Sequence, residues 1–364
     1  MRARVGLIGA GNIGRFHSRS LRGVTRMGLV DAEYVAVCDR EIARATSFAE
    51  IADLKLATSD PDELIASSLV NTVYICVPTG EHKALVEKAA AAGRHIFCEK
   101  PLAKTAADAR SMLQTVRSAG VRHQVGLVLR HSPIILVLKE LMSDPGLGRP
   151  MAGCFRDDQF FPIQGHYASD WRKDVSLTGG GALIEHSIHD VDILTFLLGD
   201  ITSVQALTRN FAGHEGVEDV AAVTLHFANG ATSQLMSLWH DILARPSGRY
   251  MEFFYERGYF AIDQDVFGDI QYNTYKSNGA AVMHDEDIRR RYMEMMGLEG
   301  EDYAIALGKY SLEDYFFLRA LSEERAPYPG FDVAVRAHEI VDAVYRSAAN
   351  GGAQVALADD VATD

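Results

Sequence analysis

Over its first 130 positions the chain alternates short, wholly apolar runs with stretches of helical period. Residues 4–8, 34–38, 72–77, 95–98 and 124–129 read as buried strands. Between them, residues 13–21, 41–51, 81–92 and 106–118 have helical composition and spacing. Short connections punctuated by Asp60-Pro61 and Ala92-Gly93 separate them. Strands without polar alternation, interleaved with helices, predict a parallel sheet covered on both faces.

The pattern changes after Arg130. Residues 220–227, 231–239, 251–255 and 259–262 alternate apolar and polar positions, and Asn229-Gly230 sits between the first two as a hairpin turn. That alternation predicts an antiparallel sheet with one covered face. A single long helix is expected over 182–198, and further helices over 312–323 and 331–349. Segment 270–310 is acidic and shows no clear period.

The 364 residues are about right for two domains. The expected division is 1–130 for an α/β Rossmann domain and 131–330 for an α+β domain with a large, mostly antiparallel sheet. The helix and tail over 331–364 complete the chain.

Composition narrows the function classes. Hydrophobic residues make up 48% and charged residues 23%, ordinary for a globular protein. No run approaches the roughly 20 apolar residues that span a bilayer. Arg2 and Arg4 are followed by a strand and glycines rather than a signal-peptide core, so a cytoplasmic location without membrane attachment is expected. Cys38, Cys76, Cys98 and Cys154 are widely spaced and form no CxxC pair; the first three lie in apolar runs and read as buried thiols. The net charge of −13 is uneven, +5 over residues 1–130 and −18 over 131–364. The acidic remainder argues against a nucleic-acid partner.

Residues 5–14 read Val-Gly-Leu-Ile-Gly-Ala-Gly-Asn-Ile-Gly, so Gly9, Gly11 and Gly14 fit GxGxxG between a strand and a helix. The first glycine permits the turn, the second lets a pyrophosphate approach the backbone, and the third lets helix and strand pack closely. The helix that begins at Asn12 and Ile13 offers free N–H groups to phosphate oxygens. Asp39 ends the second strand, where an acidic side chain binds the adenosine ribose hydroxyls, favouring NAD. Arg40 follows directly, which leaves NADP open.

Three further motifs carry chemistry: Ile75-Cys76-Val77-Pro78-Thr79 with His82, then Glu99-Lys100-Pro101, then residues 179–190, Gly-Gly-Gly-Ala-Leu-Ile-Glu-His-Ser-Ile-His-Asp. With the N-terminal glycines they resemble the Gfo/Idh/MocA oxidoreductase family, over most of the chain from Val5 to about Ala349. The resemblance implies a Rossmann domain and a second domain whose open sheet face joins subunits into a homodimer or homotetramer. It also implies a C-terminal helix that packs back on the Rossmann domain, and sugar, cyclitol or related polyol substrates. Val77, Pro78, Thr79, His82 and Glu99 would line the dinucleotide with Lys100. Lys100 matches the family's catalytic lysine and His189 its histidine acid–base. Glu185 stands where many members carry aspartate, one methylene longer. Glu185 and His189, four apart on one helix, are expected to share a face.

Arg130, Trp171 and Arg172 are further substrate-binding candidates, and His166 and Tyr167 lie in the same loop as the last two. The spacing of His186, His189 and Asp192 raises a metal site as a rival, but HExxH is absent and no metal is expected. The leading expectation is hydride transfer between NAD(P) and a ring carbon. The alternatives are an NAD-dependent glycoside hydrolase with transient oxidation at C3, and a non-catalytic dinucleotide sensor.

Overall fold

The computed structural model describes residues 1–164, 168–309 and 312–358; His166 and Tyr167 lie outside them. The chain divides into two compact units, Met1–Val128 with Glu299–Val335, and Leu129–Leu298 with Arg336–Asp364. Among the described residues, no helix is long and apolar enough to cross a membrane.

The first unit holds a six-stranded parallel sheet: β1 (Ala3–Ile8), β2 (Ala32–Cys38), β3 (Leu56–Thr58), β4 (Thr72–Ile75), β5 (His95–Cys98) and β6 (His123–Val125). Its order is β3-β2-β1-β4-β5-β6. Chain direction across the sheet reverses between β1 and β4, and in such sheets the crevice at that switch point, beyond the carboxyl ends of the strands, receives ligands. Helices Asn12–Arg26, Ile42–Ala52, Pro61–Ala66, His82–Ala91 and Ala106–Ser118 connect the strands. Tyr74 stacks on Phe97 at 4.6 Å, and Phe317 meets both edge-on. All three are fully buried, and each contributes on the order of 2–3 kcal/mol by leaving water.

The second unit is built on a nine-stranded sheet: β7 (Pro150–Phe160), β8 (Ile201–Arg209), β9 (Val220–Phe227), β10 (Thr232–His240), β11 (Gly248–Tyr255), β12 (Gly258–Ile262), β13 (Ile270–Thr274), β14 (Ala281–Met283) and β15 (Val355–Ala356). The order is β14-β13-β12-β11-β7-β10-β9-β8-β15. Only the β7–β10 pair is parallel. Strands β9 and β10 alternate between buried and more exposed positions, as their sequence pattern predicts, and Gly230 takes φ +87° in the turn between them. The buried face carries Phe155, Leu235, Met251 and Phe253. The opposite face presents Leu207, Met236 and Phe254, each more than a third exposed.

Several expectations are corrected. The unit boundary is not a single cut, because residues 299–335 belong with the Rossmann sheet. Helix Glu313–Ser322 buries Phe317 and Leu318 there. Of the C-terminal helix Phe331–Ala349, Phe331, Ala334 and Val335 enter the first core. Further along, Ser347 Oγ accepts the Ala206 N–H at 2.9 Å in the second unit, so the helix does not belong wholly to the Rossmann domain. Strand β7 escapes the pattern because Asp157 and Asp158 are buried on it, matched by Arg249 and Arg245. The strand expected over 124–129 stops at Val125 and becomes a short 3-10 turn, Val128–His131. Segment 270–310 contains β13, β14 and the helices Asp285–Met296 and Glu301–Lys309.

Candidate functional site

The three N-terminal glycines play three physical parts. Gly9 has φ +100°, and a Cβ there would lie 2.3 Å from the Cys76 carbonyl oxygen. A Cβ on Gly14 would lie 1.8 Å from the Gly9 carbonyl oxygen, so helix and turn touch only because the side chain is absent. A Cβ on Gly11 would meet nothing within 4 Å: here the backbone faces open space. Gly11 is the N-cap of helix Asn12–Arg26 and no side chain caps it. Asn12 and Ile13, both exposed, begin its first turn. Open backbone at an uncapped helix N-terminus fits a pyrophosphate.

Asp39 is buried at the end of β2. Its Oδ2 accepts the Ala10 N–H at 2.8 Å, and its Oδ1 accepts the Glu41 N–H at 3.0 Å. Arg44 Nη1 lies 3.4 Å from Oδ2. The carboxylate is thus locked to the glycine turn itself. Arg40 beside it is exposed.

Beyond β4, Val77 and Pro78 are half-buried and Thr79 is buried. His82 is buried as well, with Nε2 2.9 Å from the Val77 carbonyl and Nδ1 3.0 Å from that of Pro101. It joins two ligand-facing turns, one after β4 and one after β5. Lys100 projects from the second of these. Its own N–H donates to Glu99 Oε2 at 3.1 Å, and the other oxygen of Glu99 lies 2.7 Å from His17 Nε2.

In the second unit the glycine run Gly179–Gly181 is explained by Glu218. A Cβ on Gly181 would lie 1.8 Å from the Glu218 carbonyl oxygen, and one on Gly180 would lie 2.4 Å from Tyr345 Oη. The helix expected over 182–198 is two helices, Ala182–Glu185 and Ile188–Leu198. Glu185 and His189 therefore do not share a face of one helix. The break is held by side chains: Ser187 Oγ bonds Ser237 Oγ at 2.6 Å, and His186 Nε2 accepts from Arg249 at 2.9 Å. Glu185 is buried and pairs with Arg172 at 3.5 Å, and the Arg172 guanidinium lies over the Trp171 ring at 4.6 Å. The structure thus brings Trp171, Arg172 and Glu185 together. His189 is buried in the first turn of the second helix.

Beneath that turn, Arg249 meets Asp157 at 3.0 Å, Asp190 at 3.2 Å and Asp265 at 3.1 Å. Burial, reinforced by the adjacent Asp157, pushes the Asp190 carboxyl up to about 7, and burial raises Asp157 as well. Such a cluster is costly to desolvate and is held together by its cation. Arg130 is placed otherwise than expected: its buried guanidinium makes a two-toothed pair with Asp192, with contacts of 2.7 and 2.9 Å. It also lies 4.6 Å over the Phe196 ring. Arg130 anchors the helix Ile188–Leu198.

His186 and Asp192 are therefore committed to different arginines and do not form a metal site with His189. Among the described residues, His17, Glu99 and Glu313 do converge, but both His17 nitrogens contact carboxylate oxygens directly, at 2.7 and 2.8 Å, which leaves no room for an ion between them. Sequence reasoning missed His17, Glu218, Arg249 and the Glu313-Asp314 pair. His17 alone left a signal, being a polar residue on the helix stripe with Gly14, Leu21 and Val24, all buried.

Residues 3–127 match the family described as "Oxidoreductase family, NAD-binding Rossmann fold", and residues 135–261 match the GFO/IDH/MocA C-terminal domain. The chain is 32% identical over 235 residues to an inositol 2-dehydrogenase of Rhizobium meliloti, covering 63% of this chain and 67% of that protein. It is 31% identical over 257 residues to the scyllo-inositol 2-dehydrogenase (NAD(+)) of Bacillus subtilis, covering 67% and 71%. The alignments thus span about two thirds of the length of these curated relatives. A levoglucosan dehydrogenase solved with NADH and levoglucosan superposes with a TM-score of 0.84 at 23% identity, covering 98% of this chain and 100% of that one; it shares the fold. By both of its domains and by these relatives, the chain belongs to the Gfo/Idh/MocA oxidoreductase family.

Proposed function

We propose that the chain is an NAD-dependent dehydrogenase acting on a ring hydroxyl of a sugar, cyclitol or related polyol. One observation carries this reading: Lys100 stands at the carboxyl end of β5, its backbone fixed by Glu99, next to the strand ends that form the dinucleotide cradle. When bound, NAD supplies the hydride acceptor. The turn at Gly9, Gly11 and Gly14 would hold the pyrophosphate, and Asp39 the adenosine ribose. The Lys100 ammonium binds the substrate oxygen and stabilises negative charge as it develops there. His189 takes the hydroxyl proton, a role suited to imidazole as a residue type, whose unperturbed pKa is near neutrality. Glu185, oriented by Arg172, accepts a hydrogen bond from a neighbouring hydroxyl. The same groups serve the reverse reduction. The relatives named inositol 2-dehydrogenase support the substrate class.

The test is a panel of cyclitols, sugars and anhydrosugars with NAD and NADP in parallel, following absorbance of the reduced nicotinamide. Turnover with at least one polyol, faster with NAD, is expected. Cleavage of an aryl glycoside only in the presence of NAD, without net reduction, would replace this reading with the hydrolase. Dinucleotide binding with neither reaction would favour the sensor.

We also propose self-assembly through the outer face of the nine-stranded sheet. Leu207, Met236 and Phe254 are exposed on it, and apolar side chains gathered on one sheet face favour a partner surface. Sedimentation should give a dimer or tetramer, and Met236→Lys with Leu207→Lys should shift it towards monomer.

A further inference from the structure

The dinucleotide-binding helix Asn12–Arg26 carries a polar side chain that dinucleotide binding does not explain. His17 is fully buried, with Nε2 2.7 Å from Glu99 Oε1 and Nδ1 2.8 Å from Asp314 Oδ1. Phe16, Tyr74 and Phe97 surround the ring, with centroids 5.0–5.7 Å away. The titratable groups around it are Glu99 beyond β5, Glu313 and Asp314 on helix Glu313–Ser322, Cys76 beyond β4, Tyr74 on β4 and Tyr34 on β2. Burial opposes a charge on the ring, but Asp314 and its neighbours outweigh it and hold the imidazole well above its ordinary pKa. Burial raises the Glu313 carboxyl well above the usual carboxylate range. Each His17 nitrogen thus faces a carboxylate oxygen, the arrangement that an imidazolium with two donors satisfies.

Glu99 is gripped on three sides. One oxygen meets His17 and the other accepts the Lys100 N–H. Behind it lies Gly126, where a Cβ would come 2.7 Å from Oε1. A continuous set of contacts thus runs from the helix that begins at Gly11, through His17 and Glu99, to the backbone of Lys100.

We propose that His17 is a positioning residue. It ties the dinucleotide-binding helix to the Glu99 carboxylate and so fixes the backbone from which Lys100 projects. Lysine placement is then coupled to the element that receives the phosphates. The proposal rests on the reading of Lys100 given above, and it is tested by a measurement that needs no substrate.

That measurement is the acetylation rate of Lys100 by acetic anhydride as a function of pH, resolved by mass spectrometry on the full-length protein. His17→Gln and Glu99→Gln should each move the apparent Lys100 pKa by about half a unit or more. The exposed Lys88, held by Asp62, serves as the internal control and should not move. The double variant should shift Lys100 no further than either single one, because both break the same chain of contacts. With a polyol from the panel, kcat should fall about 10- to 100-fold while NADH affinity, read by fluorescence, stays within about threefold. A wild-type Lys100 titration in a folded His17→Gln or Glu99→Gln protein overturns the proposal, as does a double variant whose shift is the sum of the two. Because Glu99→Gln preserves shape, it keeps the test open if His17→Gln fails to fold. If Lys100 shifts as expected but Lys100→Ala retains turnover, the coupling stands and the assigned role of Lys100 falls.

Discussion

Glu218 Oε2 accepts the N–H of Gly181 at 2.7 Å, while the other oxygen of the same carboxylate accepts the N–H of Leu183 at 2.9 Å and the Tyr345 hydroxyl at 3.0 Å. A buried carboxylate thus caps the helix that delivers Glu185, in a space cleared by glycines. Burial raises the pKa of Glu218 and the backbone N–H bonds oppose that rise. Glu218→Ala should cost about 2–4 kcal/mol, since it leaves buried N–H groups unsatisfied. Gly181→Ala forces a Cβ against the Glu218 backbone and should cost at least about 3 kcal/mol. Urea denaturation of both variants against wild type checks the pair.

Lys100→Ala should lower turnover about 10²–10³-fold, the span of a lost donor that stabilises developing charge. Dinucleotide affinity should stay within about threefold, because the cradle at Gly9, Gly11 and Asp39 is untouched. Steady-state kinetics and NADH fluorescence titration measure the two quantities separately.

Asp39→Ala should weaken NADH binding about 10- to 100-fold, in line with the loss of charge-assisted hydrogen bonds. Part of that loss comes through Ala10, whose N–H is no longer fixed. NADPH should lose less, because the variant removes a negative charge next to the exposed Arg40. The ratio of the two dissociation constants is the readout.

His123 accepts the Phe331 N–H at 3.1 Å, and burial pushes its imidazole down to about 4 from 6.5. Its folded pKa lies below its unfolded one, so its contribution is present above pH 6.5 and is lost as pH falls towards 4. Between pH 7 and pH 5 that loss should reach about 2 kcal/mol. His123→Asn keeps an acceptor for the amide but does not titrate, so its acid limb in thermal or urea denaturation should be flatter by that amount.

The legibility of the chain follows the kind of force at each place. The Rossmann sheet was readable because its strands are continuous apolar runs and its glycines fall at a fixed spacing within ten residues. The glycine turn and Asp39 fall where that frame puts them, whereas Lys100 was singled out by its resemblance to a family motif. Strand β7 was not readable because Asp157 and Asp158 are both buried on it, and the arginines that pair with them include Arg249 and Arg245, some 90 positions away. The helix break after Glu185 was hidden for the same reason: residues 182–198 suit a helix throughout, and the interruption comes from Ser237 and Arg249 on other strands. His17 had a local signal in its buried stripe, but its meaning depends on Asp314, nearly 300 residues later. Patterns of hydrophobicity record local folding, whereas buried charge clusters are agreements between distant segments.

The interruption at His186-Ser187 has an evolutionary corollary. Glu185 takes its orientation from Arg172 in a surface-connected turn, whereas the helix of His189 is seated on the Arg249 cluster and on Arg130 with Asp192. Arg172 supports the first of these side chains, and Arg249, Arg130 and Asp192 support the helix of the second. On the roles proposed above, drift in the turn around Trp171 and Arg172 would reshape which hydroxyl pattern Glu185 favours while His189 keeps its seat. A scaffold divided in this way lets a lineage explore new polyols by changing one module at a time.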